Sequence, residues 1–278
     1  MNKRKILPYT KEQLFELFVQ KDYTVQELAD LCGCGIGLIK DALHSTGLNL
    51  KEKRAYKRYY LDETCFKNIT EEVAYILGYF YTMAEIDNKL NTIRVTVRVE
   101  DKNVLEKMCN HIFKINTDYF INKSDGKEKL LVINNKKVKN DYTKLGYMKE
   151  NVISINDKIE NLTEELQRSF FRGYLEANGR LNFSLNKQLY TLVLEGDSKM
   201  LQTFQKTILE KNNLKKNKIQ LVTPKCSEQF YRYRTTNDID ICGIYKYLYR
   251  ENDELYSDKH LDKFKDVFYN RKYIKVIG

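Results

Sequence analysis

The chain has 278 residues, 42% hydrophobic and 12% aromatic, which is enough apolar material for one or two cores and sets aside wholesale disorder. No run approaches the ~20 apolar residues that span a bilayer, and the opening Met1-Asn-Lys-Arg-Lys-Ile has no apolar stretch behind its basic residues, so a cytoplasmic protein with no membrane partner is expected. Lys and Arg number 48 against 38 Asp and Glu, a net charge of +10, which favours polyanionic partners without identifying one.

From Thr10 to Leu50 the apolar residues recur at helical spacing in three blocks: Leu14, Phe15, Leu17, Phe18; Val25, Leu28, Ala29; and Ile36, Leu38, Ile39, Leu43. Thr24 with Glu27 three residues on predicts a capping box for the second helix, and Gly33 stands where the following turn tolerates positive φ. The order of these signals resembles a helix-turn-helix, whose second helix would enter a major groove and offer Gly35, Gly37, Lys40, Asp41 and His44 outward. The six cysteines and three histidines are scattered, with Cys32-Gly-Cys34 the only close pair of cysteines, which argues against a zinc site by spacing and predicts reduced, mostly buried thiols.

Residues 51–60 carry five basic residues against one acidic, with tyrosines between them. Lys53, Arg54, Lys57 and Arg58 are therefore candidates to track phosphates, in a basic linker spanning 51–68 that follows a module at 1–50. A plain solvated charge run is the alternative reading.

The remainder repeats itself. Ile69-Thr-Glu-Glu-Val-Ala-Tyr-Ile-Leu-Gly78-Tyr-Phe and Leu162-Thr-Glu-Glu-Leu-Gln-Arg-Ser-Phe-Phe-Arg-Gly173-Tyr-Leu share a helix start, an apolar run and Gly-Tyr. Ile93 to Asp101 parallels Tyr190 to Asp197, and each half reads helix, strand pair, helix, strand pair, helix. In the first half, Ile93, Val95, Val97 and Val99 alternate with Arg94, Thr96 and Arg98, predicting one dry face and one basic, hydrogen-bonding face. In the second, Asn182 and Ser184 face outward, as do Arg232 and Arg234.

Two apolar helices that end in Gly-aromatic, with Phe170-Phe-Arg-Gly-Tyr-Leu-Glu-Ala-Asn-Gly179 as the second, resemble the LAGLIDADG homing endonucleases across most of residues 66–270. The resemblance implies an α+β fold: the helix-turn-helix, then repeats at 69–158 and 159–278, each αββαββα, forming a pseudo-twofold saddle over DNA. It implies that the two motif helices meet at Gly78 and Gly173. It also implies that each motif helix ends on a carboxylate that binds a divalent metal in members that cut DNA. Here those positions hold Met83 and Asn178, neither a useful ligand for Mg²⁺, so no metal or other cofactor is expected. Glu85 and Glu176 are the acids that could restore one, and with them Mg²⁺-dependent cleavage or nicking. The function that the residues and this resemblance together imply is a monomeric, sequence-specific binder of duplex DNA with a long asymmetric site, a non-cutting regulator or operator binder derived from a homing endonuclease. The alternatives left open are an active nuclease, an RNA-binding splicing cofactor and a protein-only scaffold.

Overall fold

The computed structural model describes residues 7–19, 21, 23–47, 50, 61–114, 120–122, 128–147, 152–222, 230–251 and 253–270. The chain forms two compact units, Met1–Asp62 with Phe113–Tyr119 and Glu63–Ile112 with Phe120–Gly278.

In the first unit, α1 (Lys11–Val19), α2 (Val25–Leu31) and α3 (Ile36–His44) enclose a core of Leu14, Phe18, Val19, Leu28, Ala29, Ile39, Ala42 and Leu43. Thr24 caps α2 as its sequence predicts: its Oγ1 accepts from the Glu27 amide at 3.1 Å while Glu27 accepts from the Thr24 amide at 2.6 Å. Gly33 has φ +57°, a left-handed residue that ends α2 and lets the chain turn within residues 32–35 into α3. Of the apolar residues of α3, Ile39 and Leu43 are buried while Ile36 and Leu38 are exposed. A nine-residue helix docks only one stripe, and here that stripe is Ile39, Ala42 and Leu43.

The second unit contains the repeat. Its first half is α4 (Glu71–Met83), β1 (Ala84–Asp87), β2 (Thr92–Arg98), α5 (Lys102–Met108), β3 (Phe120–Asn122), β4 (Glu128–Asn134) and α6 (Lys136–Leu145), followed by α7 (Val152–Glu160). The second half is α8 (Glu164–Asn178), β5 (Gly179–Ser184), β6 (Leu189–Gly196), α9 (Ser198–Phe204), β7 (Gln220–Val222), β8 (Phe230–Thr235) and α10 (Asp238–Leu248), followed by α11 (Asp258–Asn270). Each half makes a four-stranded antiparallel sheet, ordered β1-β2-β4-β3 and β5-β6-β8-β7. The halves share irregular features too, because α5 and α9 both run on into a π-helical turn, at Cys109–Phe113 and Gln205–Glu210.

Thr70 and Thr163 start α4 and α8 by accepting the Val73 and Leu166 amides, and two glutamates follow each cap where the helix dipole favours them. From Val73 to Tyr81 and from Gln167 to Glu176 every residue is buried, so both helices lie inside the unit. They touch backbone to backbone at the two glycines. A Cβ on Gly78 would sit 1.9 Å from the Phe170 carbonyl oxygen, and one on Gly173 would sit 2.0 Å from that of Tyr75. The contact is reciprocal, each glycine against the residue three before the other, as a pseudo-twofold axis requires.

The inner faces of both sheets cover these helices with Ile93, Val95 and Val97, and with Leu181, Leu192 and Leu194. Val99, assigned to the same strand face by its spacing, instead opens the short 3₁₀ turn Val99–Asp101. The helix that trails each half lies against the other half. Glu160 of α7 pairs with Lys206 at 2.6 Å, and Asp258 of α11 pairs with Lys107 at 2.8 Å.

Candidate nucleic-acid interface

Residues that pair directly across antiparallel strands share a face. On the first sheet the outward face carries Arg94, Thr96 and Arg98 from β2, Glu85 and Asp87 from β1, and Glu128 from β4. Arg94 reaches Asp87 at 3.5 Å and the strongly exposed Arg98 reaches Glu100 at 3.7 Å. On the second sheet the outward face carries Arg180, Asn182 and Ser184 from β5, Thr191 and Glu195 from β6, and Arg232 and Arg234 from β8. Glu195 pairs with both Arg180 and Arg232, the Arg232 Nε donating at 2.9 Å. Burial pushes the Glu195 carboxyl up, but the two guanidinium groups outweigh it and hold the group below the usual carboxylate range.

Between the sheets the motif helices end side by side in a cleft of about 660 Å³, lined by Met83, Asn178, Thr96, Arg98, Glu195 and Lys259 among others. Met83 and Asn178 are the last residues of α4 and α8 and follow their glycines at the same distance, so the repeat makes them equivalent. The Asn178 amide nitrogen donates back to the Tyr174 carbonyl at 3.1 Å. A thioether and a neutral amide at the two helix ends do not fit the Mg²⁺ that the family resemblance implies, because that cation takes hard, charged oxygens. Among the described residues, no group of three or more His, Cys, Asp and Glu side chains is arranged to hold a metal ion.

The two acids that could have restored such a site are placed otherwise. Glu85 lies on β1 opposite Arg94, in a separate depression with Asp87, Asn88 and Lys89. Glu176 borders the cleft but is buried and already engaged: it accepts from Tyr75 at 2.5 Å, from Tyr249 at 2.8 Å and from the Ser257 amide at 2.7 Å. Its carboxylate ties α8 to α4 and to the segment joining α10 and α11. The remaining acids along the cleft also have partners. Glu100 and Asp101 bind Lys259 at 2.6 and 3.2 Å, while Asp197 caps α9 and accepts from Tyr81 at 2.8 Å.

Burial raises the Glu176 carboxyl from its ordinary 4.5 to about 7, against the lowering pull of Tyr75, Tyr249, Arg172 and the Ser257 amide. A raised carboxyl binds its proton more tightly in the folded chain than in the unfolded one. Its stabilising effect is therefore complete below about pH 4.5 and is lost as the pH rises to about 7, on the order of 3 kcal/mol for a shift of this size. Glu176→Gln should flatten this dependence. In urea unfolding between pH 5 and 8, the wild type should lose stability relative to the variant as the pH rises. Parallel curves would show that Glu176 titrates normally.

Of the other sequence candidates, Lys40 and His44 are exposed on α3, whereas Lys53, Arg54, Lys57 and Arg58 lie outside the described residues. The structure brings Arg94, Thr96 and Arg98 onto one face, and Asn182, Ser184, Arg232 and Arg234 onto the other. Sequence reading had passed over Arg180 and Glu195. The alternation that selected Asn182 and Ser184 extends to Arg180 and could have found it, but nothing local ties Glu195 to arginines on two other strands.

No family model matches the sequence, and no curated protein matches it. Among solved structures the chain is similar to the LAGLIDADG homing endonuclease I-GzeII in complex with its DNA target, at 11% identity and a TM-score of 0.45 over 75% of this chain and 91% of that one. It is similar to the N-terminal LAGLIDADG domain of DUF199/WhiA, at 13% identity and 0.42 over 68% and 91%, and to full-length DUF199/WhiA from Thermatoga maritima, at 13% and 0.44 over 78% and 66%. With two αββαββα halves, two sheets of identical strand order and a pair of buried helices joined through Gly78 and Gly173, the second unit is LAGLIDADG-like in fold.

Proposed function

We propose that the chain is a sequence-specific binder of duplex DNA that holds a long asymmetric site without cutting it, a regulator or operator binder derived from a nuclease ancestor. The observation that carries this reading is the contrast between the sheets and the helix ends. Both sheets keep outward rows of arginine and hydrogen-bonding side chains, while the helix ends hold Met83 and Asn178 and the nearby Glu176 is sequestered. The two rows differ residue by residue, so a site they read need not be palindromic. The first unit extends the footprint as a helix-turn-helix, with α3 in a major groove and Lys40 and His44 outward, and residues 51–60 track phosphates between the two readers. The chain acts as a monomer, since two sheets already supply two half-sites. Among the described residues no helix is long and apolar enough to cross a membrane, and the reading includes no membrane partner.

The test is selection from a randomised duplex library in Mg²⁺, with bound and cleaved molecules sequenced separately. Enrichment of one long intact motif is expected. Defined cut ends inside the motif would make the chain a nuclease, and no enrichment would remove DNA recognition altogether. With the selected duplex in hand, Arg234→Ala should weaken binding about tenfold to a hundredfold and relax preference at one position, as loss of a base contact does. Lys57→Ala should weaken binding to all duplexes alike and lower the salt slope by about one.

A further inference from the structure

We infer that Glu195 is a specificity-determining positioning residue, which holds Arg180 and Arg232 as one fixed pair of donors for the base edges of duplex DNA; this rests on the reading above. Glu195 sits on β6, a middle strand of the second sheet, directly opposite Arg232 of β8 and one diagonal step from Arg180 of β5. Each carboxylate oxygen takes one guanidinium: Oε1 accepts from Arg232 through Nε and Nη2, and Oε2 accepts from Arg180 through Nη2. A guanidinium has five N–H donors in a rigid fork, so both arginines retain donors for a ligand after this pairing. All three side chains stand on the outward face, with Arg180 53% and Arg232 38% exposed.

An ion-pair fork on a solvated face adds little to fold stability, because water screens it and two long side chains lose their freedom. Its effect on binding is larger for two reasons. Fixing the guanidinium groups before binding removes an ordering cost that free arginines would bear at the interface. The carboxylate also cancels charge that would otherwise attract any phosphate, so the sheet is less sticky to random DNA while keeping its directed donors.

The first sheet provides the contrast. Its outward arginines, Arg94 and Arg98, make single, longer contacts to Asp87 and Glu100, and Glu85 and Glu128 add further negative charge. Among the described residues of the two outward faces, only the second sheet has two arginines on one carboxylate. The half-site under the second sheet is therefore the more stringently read.

The experiment compares wild type, Glu195→Gln and Glu195→Asp. Binding is measured over a range of salt to the duplex recovered from the library and to a scrambled duplex of the same composition. Glu195→Gln should bind the scrambled duplex several-fold more tightly, steepen the salt slope by about one, and cut the ratio of specific to scrambled affinity about tenfold or more. The loss of discrimination should fall on base pairs under the second sheet. Glu195→Asp, which keeps the charge, should restore most of that ratio, and both variants should melt close to wild type. If Glu195→Gln discriminates as wild type does, the positioning role is overturned while DNA recognition stands. If wild type itself does not prefer the selected duplex, the DNA reading fails and this role fails with it.

Discussion

Gly78→Ala is expected to unfold the second unit or to lower its urea midpoint severely, with a loss of more than about 4 kcal/mol, an exceptional value for one methyl group. The added Cβ would lie 1.9 Å from the Phe170 oxygen, 2.8 Å from its carbonyl carbon and 3.0 Å from the Tyr174 nitrogen. All three are backbone atoms of a buried helix, so no side chain can swing aside, and the helices can only separate. Separation would loosen the contacts that bury Tyr75, Phe170, Phe171 and Tyr174 at the centre of the unit. Gly173→Ala should behave in the same way, and the double variant should cost less than the two losses combined, because each opens the same interface. Gly37→Ala is the control. Its Cβ meets nothing within 4 Å, and alanine is favoured over glycine in a helix by up to about 1 kcal/mol, so its own unit should be unchanged or slightly more stable. An unchanged midpoint for Gly78→Ala would show that α4 and α8 do not touch there.

Asp253→Ala is expected to cost about 3 to 5 kcal/mol, as removal of one partner from a buried ion pair does. Arg168 and Arg172 project from α8 one turn apart, each only about 2% exposed, and both end on Asp253, whose side chain is 7% exposed. Arg168 also meets the Glu71 carboxylate, to which the Ser169 hydroxyl donates at 3.2 Å, while Arg172 otherwise has the Leu248 carbonyl at 3.1 Å and the ring of Tyr75 beneath it. Without the carboxylate, two cations would stay buried with too few acceptors, and the Nε of each already lacks one. Asp253→Asn keeps one acceptor and loses the charge, so its loss should fall between wild type and alanine. Urea midpoints for the three proteins at one pH measure the series. Equal midpoints for Asp253→Ala and wild type would mean that water reaches the two arginines.

The architecture was legible because its signals are local. Thr24 with Glu27, the twin Thr-Glu-Glu starts at Thr70 and Thr163, and the alternation along Ile93 to Val97 each express a rule that acts within a few residues, and the structure places these elements as read. Gly78 and Gly173 were legible as close-approach points through the family resemblance, in which they hold equivalent positions of the two repeats. The local rule failed where an element ended: Val99, assigned to the strand face by its spacing, left its strand.

The candidate site was legible only by face. Alternation set Arg94, Thr96, Asn182 and Arg234 outward, and the family resemblance, aligned on Gly78 and Gly173, set Met83 and Asn178 at the helix ends. What each charged group does was decided by the tertiary structure, because its partners lie far away along the chain. Glu176 looked like a spare ligand until folding brought Tyr75, Tyr249 and Ser257 to its two oxygens. Arg168 and Arg172, four residues apart in α8, are internal because folding brings the Asp253 carboxylate to both. Glu195 became a fork only when β5 and β8 paired on either side of β6. Periodicity reports which way a side chain points. The charge it meets there depends on strand and helix neighbours that only the closed fold selects.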